Sequence, residues 1–188
     1  MATKKEWQSF EKEFMQKLRE KEAWKKISEN ENLPWSMELI EKYADQLDWE
    51  GLSGNTGIRW DAELLEKFKP RIDWNMLSER ILGNPWNRCR GVKSDWDIFE
   101  RFERYWNWHE LSKTACVIPD YILEKFADNW DWKELIKNRE INWSYDHLEK
   151  FKNYIPLSDL DALKESGFWM NLIRIDEKII TGKILAGL

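Results

Sequence analysis

A chain of 188 residues is long enough for one domain with a core, or for a short array of repeats, and too short for two ordinary domains. Its 42% apolar and 35% charged residues suit a soluble globular protein, and no run of about 18 apolar residues exists to span a bilayer, so membrane insertion is not expected. A formal charge of −5, from 35 acids against 30 bases, argues against a general nucleic-acid binder, which leaves the 14 tryptophans to be explained by their placement.

The opening segment, "MATKKEWQSFEKEF", carries lysines but neither an apolar core stretch nor a small-residue cleavage site, so a cytoplasmic protein is expected. Residues 4–27 set Trp7, Phe10, Phe14 and Leu18, with Met15, on one side of a charged helix, which is expected to cap the N-terminal end of an array. A truncated copy of a repeat, "AWKKISENENLPW", begins at 23. Full copies follow: "WSMELIEKYADQLDWEGLS" from 35, "WDAELLEKFKPRIDWNMLS" from 60, "SDWDIFERFERYWNWHELS" from 94, "IPDYILEKFADNWDWKELI" from 118 and "WSYDHLEKFKNYIPLSDLD" from 143. The second tryptophan of the unit stands at Trp24, Trp49, Trp74, Trp108 and Trp132 and becomes Leu157, giving spacings of 25, 25, 34, 24 and 25. A near-constant period of this size marks stacked supersecondary units.

Within the copy at 60, Leu64, Leu65 and Phe68 recur at helical spacing with Glu63, Glu66 and Lys67 between them, which predicts an amphipathic helix of about three turns. Ser36, Asp61, Asp120 and Ser144 stand where a side-chain oxygen can accept from the free N–H groups of the first turn. Asp48, Asp73 and Asp131, or Asn107, precede Trp-x-x-Leu and predict a second N-cap opening a shorter helix. Pro70 falls near the end of the first helix, where it helps to stop it. Each unit then reads as a helix pair too small to bury its apolar side alone, so neighbours stack with Trp and Phe as a ladder between them. After about Leu163 the pattern is lost, and "MNLIRI" with "KIITGKIL" fits either a last helix or a hairpin, helix being favoured. The expected fold is all-α: one solenoid-like repeat domain over 1–188, with helix pairs at a period of about 25 over 28–162 and a C-terminal cap at 163–188.

These residues, "WSMELIEKY" to "DWEGLS" and "WDAELLEKFKPRIDWNMLS", resemble the tandem W-S-x-x-L-x-x-K-F and D-W-x-x-L-S repeats of largely uncharacterised bacterial and large-virus proteins. The resemblance covers roughly residues 23–162. It implies an α-helical repeat protein, carries no catalytic residues to transfer and leaves activity open. The copies depart from it at Ser94, Pro119 and Leu157, where tryptophan is expected, and at the junction after Trp74.

For catalysis the chain offers two imidazoles. His109 occupies a place held elsewhere by Glu50, Asn75 and Lys133, hence a surface place; His147 stands where Leu65 and Ile40 stand, hence a partly buried one, with no serine or cysteine positioned beside it in the sequence. No nucleophile elbow, phosphate-binding glycine loop, zinc motif or C-x-x-C pair is present, and Cys89 and Cys116 are expected to stay reduced. Catalytic residues, metals and cofactors are therefore not expected.

The informative departure is "NPWNRCRGVK" at 84–93, in the connection from about Gly83 to Lys93 that takes up the nine residues added to the period between Trp74 and Trp108. Gly83, Asn84, Pro85 and Gly91 predict a loop over 83–93, and binding residues concentrate on loops carried by rigid scaffolds. Trp86 with Arg88, Arg90 and Lys93 is an aromatic among cations: a contact for an acidic protein, or a site that stacks a planar group and neutralises an anion. The alternative is that Trp86 packs in the ladder and the cations are solvated. The expected function is non-catalytic binding of a protein partner through a concave face and this loop; the alternative is a sponge or sensor for a nucleotide-like anionic small molecule, and either mode would suit an antagonist of a host defence.

Overall fold

The computed structural model of the chain describes residues 4–81, 96–113 and 116–186, with side chains except at 4–9, 160 and 162. These residues form helices and, among them, no strand, so the chain is all-α. They fall into two compact units, Met1–Arg80 and Ile81–Leu188.

The first unit starts with the long helix α1 (Lys4–Ser28), followed by the short helices α2 (Met37–Lys42), α3 (Trp49–Ser53), α4 (Ala62–Phe68) and α5 (Trp74–Ile81). Short helices need their ends satisfied, because most of their N–H and C=O groups are terminal. Ser36 caps α2 through the N–H of Leu39, Asp48 caps α3 through that of Gly51, and Asp61 caps α4 through those of Glu63 and Leu64. Asp73 accepts from Asn75 and Met76 at the start of α5. With 7 residues, α4 is about two turns rather than three, because Lys69 and Pro70 follow and the chain must reach Asp73 in time to start the next helix.

The tryptophans work at the other ends. The indole N–H of Trp49 donates to the Ala44 carbonyl at 2.9 Å and that of Trp74 to the Lys69 carbonyl at 3.2 Å, so each satisfies a carbonyl just past the preceding helix. Ring packing adds to this: Trp24 lies 5.5 Å from Tyr43 and Trp49 lies 5.1 Å from Phe68, both tilted by 39°. A tryptophan buries about 150–250 Å², worth about 4–6 kcal/mol before ordering entropy, which lets helices of one or two turns stay in place.

Serines join alternate helices, α1 to α3 and α3 to α5. The Ser28 hydroxyl donates to the Trp24 carbonyl and accepts the Asp48 N–H at 2.9 Å; Ser53 does the same with Trp49 and Asp73 at 3.0 Å. Buried Asn55 donates to the Ser28 carbonyl at 2.7 Å and accepts from Gly57. Gly57 passes so close to the chain that a Cβ there would lie 2.3 Å from the Glu31 carbonyl oxygen.

The second unit holds α6 (Asp97–Arg101), α7 (Trp108–Lys113), α8 (Asp120–Lys125), α9 (Trp132–Leu135), α10 (Tyr145–Phe151), α11 (Leu160–Lys164) and α12 (Gly167–Ala186). The same contacts return. Trp108 and Trp132 donate to the Glu103 and Ala127 carbonyls, Ser112 joins Trp108 to the Asp131 N–H, and buried Asn138 donates to the Cys116 carbonyl and accepts from Glu140. Trp108–Phe126 and Trp132–Phe151 pack at 4.8 Å with tilts of 38° and 40°. Asn107 and Asp131 cap α7 and α9 as expected. Two caps differ. Pro119, not Asp120, is the N-cap residue of α8, since its fixed φ suits the start of a helix while buried Ile118 anchors the chain before it. Ser144 stands at the N-cap of α10, but its hydroxyl binds His147 instead of a backbone N–H.

The segment after Leu163 is the helix α12, not a hairpin. Ser166 accepts the Trp169 N–H to start it, Phe168 is buried 5.4 Å from Trp143, and a Cβ on Gly167 would meet the Asn138 carbonyl at 2.8 Å. Asn171 donates to the Ile141 carbonyl, and the last tie of the helix to the unit is Tyr145 Oη to Asp176 at 2.7 Å. Beyond it Ile179, Ile180, Ile184 and Leu185 are exposed. At the other end of the chain α1 behaves alike: Trp24 and Ser28 pack against the unit, while Phe10, Phe14, Met15 and Leu18 are exposed. Among its described side chains, the cap expected there therefore meets its unit through its last turns.

Candidate functional site

Trp86, Arg88, Arg90 and Lys93, the residues singled out in the sequence, lie outside the described residues together with the rest of the 83–93 segment and Cys89. The described chain resumes at Trp96, which is buried and packs 5.0 Å from Phe99. Candidate sites elsewhere come from three places: the histidines, the exposed faces of the long helices, and a small cavity in the first unit.

His109, on the exposed side of α7, places Nδ1 2.6 Å from Asp131 Oδ2. Asp131 also caps α9. Partial burial pushes its carboxyl pKa up, but the hydrogen bonds from His109 and from the Glu134 and Lys133 N–H groups outweigh this and hold it below the usual carboxylate range. Its place as a cap explains the arrangement: the histidine ties α7 to the start of α9.

His147 is 8% exposed, between Trp143 and Phe151, and is more buried than its sequence place alone indicates. Its Nδ1 lies 2.8 Å from Ser144 Oγ and its Nε2 lies 3.2 Å from Asp120 Oδ1. A serine is thus positioned beside it after all, three residues back and on the same helical face. The three residue types are those of a nucleophilic triad, but the carboxylate sits on Nε2 and the hydroxyl on Nδ1. The Asp120 side chain is 68% exposed, and the serine is held at a helix N-cap. This is the geometry of a side-chain link from the start of α10 across to α8, and sequence spacing hides it because Asp120 and His147 are 27 residues apart. Among the described residues no group of three or more His, Cys, Asp and Glu side chains is arranged to hold a metal ion.

On α1, Phe10 and Phe14 are 61% and 55% exposed and stack on each other at 6.3 Å, with Leu18 one turn on. On α12, Met170, Ile173, Ile180 and Ile184 fall on one face at helical spacing, all exposed. Neither helix is long and apolar enough to cross a membrane. The cavity, about 190 Å³, opens between α2 and the segment leading into α4, with Trp35, Ile40, Ile58 and Leu64 as its apolar lining and Arg59 and Asp61 among its polar residues.

No protein-family model, curated protein or solved structure matches the chain.

Proposed function

We propose that the protein is a non-catalytic helical-repeat scaffold, acting in the cytoplasm, that binds a protein partner. Its repeat is a helix pair with a period of about 25 residues stacked as a solenoid, a reading supported by the return of the same three contacts: indole to carbonyl, serine to the next capping residue, and tryptophan to the next aromatic ring. The Phe10–Phe14 pair carries the binding role. Two large rings left more than half exposed on a charged helix are what a partner's apolar surface covers, since exposed aromatic anchors contribute most to protein interfaces. The cationic segment with Trp86, Arg88, Arg90 and Lys93 supplies a second, charge-selective contact suited to an acidic partner.

The test is affinity capture from cell lysate, read by mass spectrometry, with wild type, Phe10→Ser/Phe14→Ser and Arg88→Ala/Arg90→Ala/Lys93→Ala. The expected result is one protein enriched by wild type, lost with the α1 variant and weakened, more so at raised salt, with the loop variant. Equal capture by all three proteins, or none by wild type, overturns the proposal.

A further inference from the structure

Arg59 differs from other basic side chains of the first unit. Lys67 pairs with Glu41 at 2.8 Å, Arg71 with Asp45 at 2.6 Å and Lys69 with Glu66 at 2.7 Å, whereas Arg59 makes no hydrogen bond or ion pair among the described residues. It sits at the cavity between α2 and the segment preceding α4. The apolar walls there are fixed. Ile40, Ile58 and Leu64 are 0, 2 and 4% exposed, and the half-buried Trp35 ring, which lines the space, is held by its N–H, which donates to the Asn30 carbonyl at 2.9 Å.

The other polar residues of the cavity are already engaged. Ser36 Oγ accepts the Leu39 N–H at 3.2 Å, and Asp61 Oδ1 accepts the N–H groups of Glu63 and Leu64 at 3.1 and 2.9 Å, so both serve helix starts. Arg59 is therefore the charged group left to meet something from outside. A guanidinium offers a planar fork of donors that matches a carboxylate. One cation with the Asp61 charge two residues away suits a monoanion and not a phosphate, which would need more positive charge than this rim supplies. Volume sets the rest: an apolar cavity of about 150 Å³ holds a benzene ring, so about 190 Å³ takes one ring and a short arm.

We infer that this cavity binds a small aromatic monocarboxylate, its ring against Trp35 over Ile40, Ile58 and Leu64 and its carboxylate on Arg59. The site lies wholly within Met1–Arg80 and does not depend on the protein-partner reading.

The experiment is an NMR titration of the full chain with 3-phenylpropionate and, separately, with phenethylamine, following the Trp35 indole N–H signal assigned by its absence in Trp35→Phe. A ligand of this size against one cation is expected to bind in the millimolar range. 3-Phenylpropionate should shift the Trp35 signal saturably, with phenethylamine weaker by roughly tenfold or more, and Arg59→Gln should weaken the acid by roughly fivefold or more. Because Arg59 is exposed, the variant's remaining spectrum should overlay on that of wild type, which separates loss of the site from loss of the fold. No saturable shift at Trp35, equal affinity for the amine, or unchanged affinity in Arg59→Gln each overturns the assignment.

Discussion

The short interior helices and the two long terminal ones are held by different means. From α2 to α10 no helix exceeds 8 residues, yet six of these nine start on a side-chain cap, Trp49, Trp108 and Trp132 each pack on a neighbouring ring, and the core of both units lies there. In α1 and α12, with 25 and 20 residues, order over much of the length comes from the helix itself, while Phe10, Phe14, Ile180 and Ile184 face outward. Isolated helices of 4 to 8 residues are unstable in water, so the interior persists only through its tertiary contacts; a helix of 20 residues or more can persist with an open face. The difference separates parts held by fit from parts left exposed.

The sharpest way to break this comparison is to remove a buried interior ring. Trp143 is 0% exposed, donates to the Asn138 carbonyl at 2.9 Å and packs on His147 and Phe168. Trp143→Ala is expected to destabilise the second unit by about 3–5 kcal/mol in chemical denaturation. Gly57→Ala comes next, at about 1–3 kcal/mol for the first unit, because the added methyl meets the backbone of Glu31 rather than a side chain that can turn away. Ser112→Ala removes one hydrogen bond to the Trp108 carbonyl and one from the Asp131 N–H, and should cost about 1–2 kcal/mol, with faster amide exchange at Asp131.

Acid offers a finer probe. The folded pKa of Asp131 is lowered, so the folded state holds fewer protons there than the unfolded chain, and the stabilisation is present above the unfolded value of 3.8 and lost as pH falls through the folded one. The stability gap between wild type and Asp131→Asn, followed by thermal unfolding from pH 7 downward, should therefore narrow below that value. Smallest of all is Phe10→Ser/Phe14→Ser, expected to change stability by less than about 0.5 kcal/mol per site. A large fall in Tm for this variant would mean that α1 is part of the interior after all.

Much of the interior could be read from the chain. Asp48, Asp73, Asn107 and Asp131 before Trp-x-x-Leu announce their caps because capping is local, decided within three residues. The serine closing the motif, at Ser53 and Ser112, is just as visible, but its partner N–H lies about 20 residues on, and only the packing of one helix on the next reveals it. Asp120 and His147 failed to suggest each other for the same reason. The ends of the chain were harder: a stripe such as Phe10, Phe14 and Leu18 states that a helix has an apolar side and says nothing about what covers it. For the residues after Leu163, Ile179 and Ile180 fit either period, and the N-cap Ser166 with the close approach of Gly167 to Asn138 decides for helix. The Trp35 cavity had no sequence signal beyond an arginine beside a repeat tryptophan; what marks it is that Arg59, unlike Lys67 and Arg71, has no ionic partner among the described residues.

The serine ties join residues 20, 20 and 19 positions apart. Contacts of such short span give low contact order and fast folding, since little chain must be closed before each one forms. During synthesis, at about 5–20 residues per second, each tie can close within about 1–4 s of its serine being made. The amino-terminal core can thus be complete while the tryptophans of the carboxy-terminal half are still untranslated, and little apolar surface waits in the open for a partner that has yet to be made.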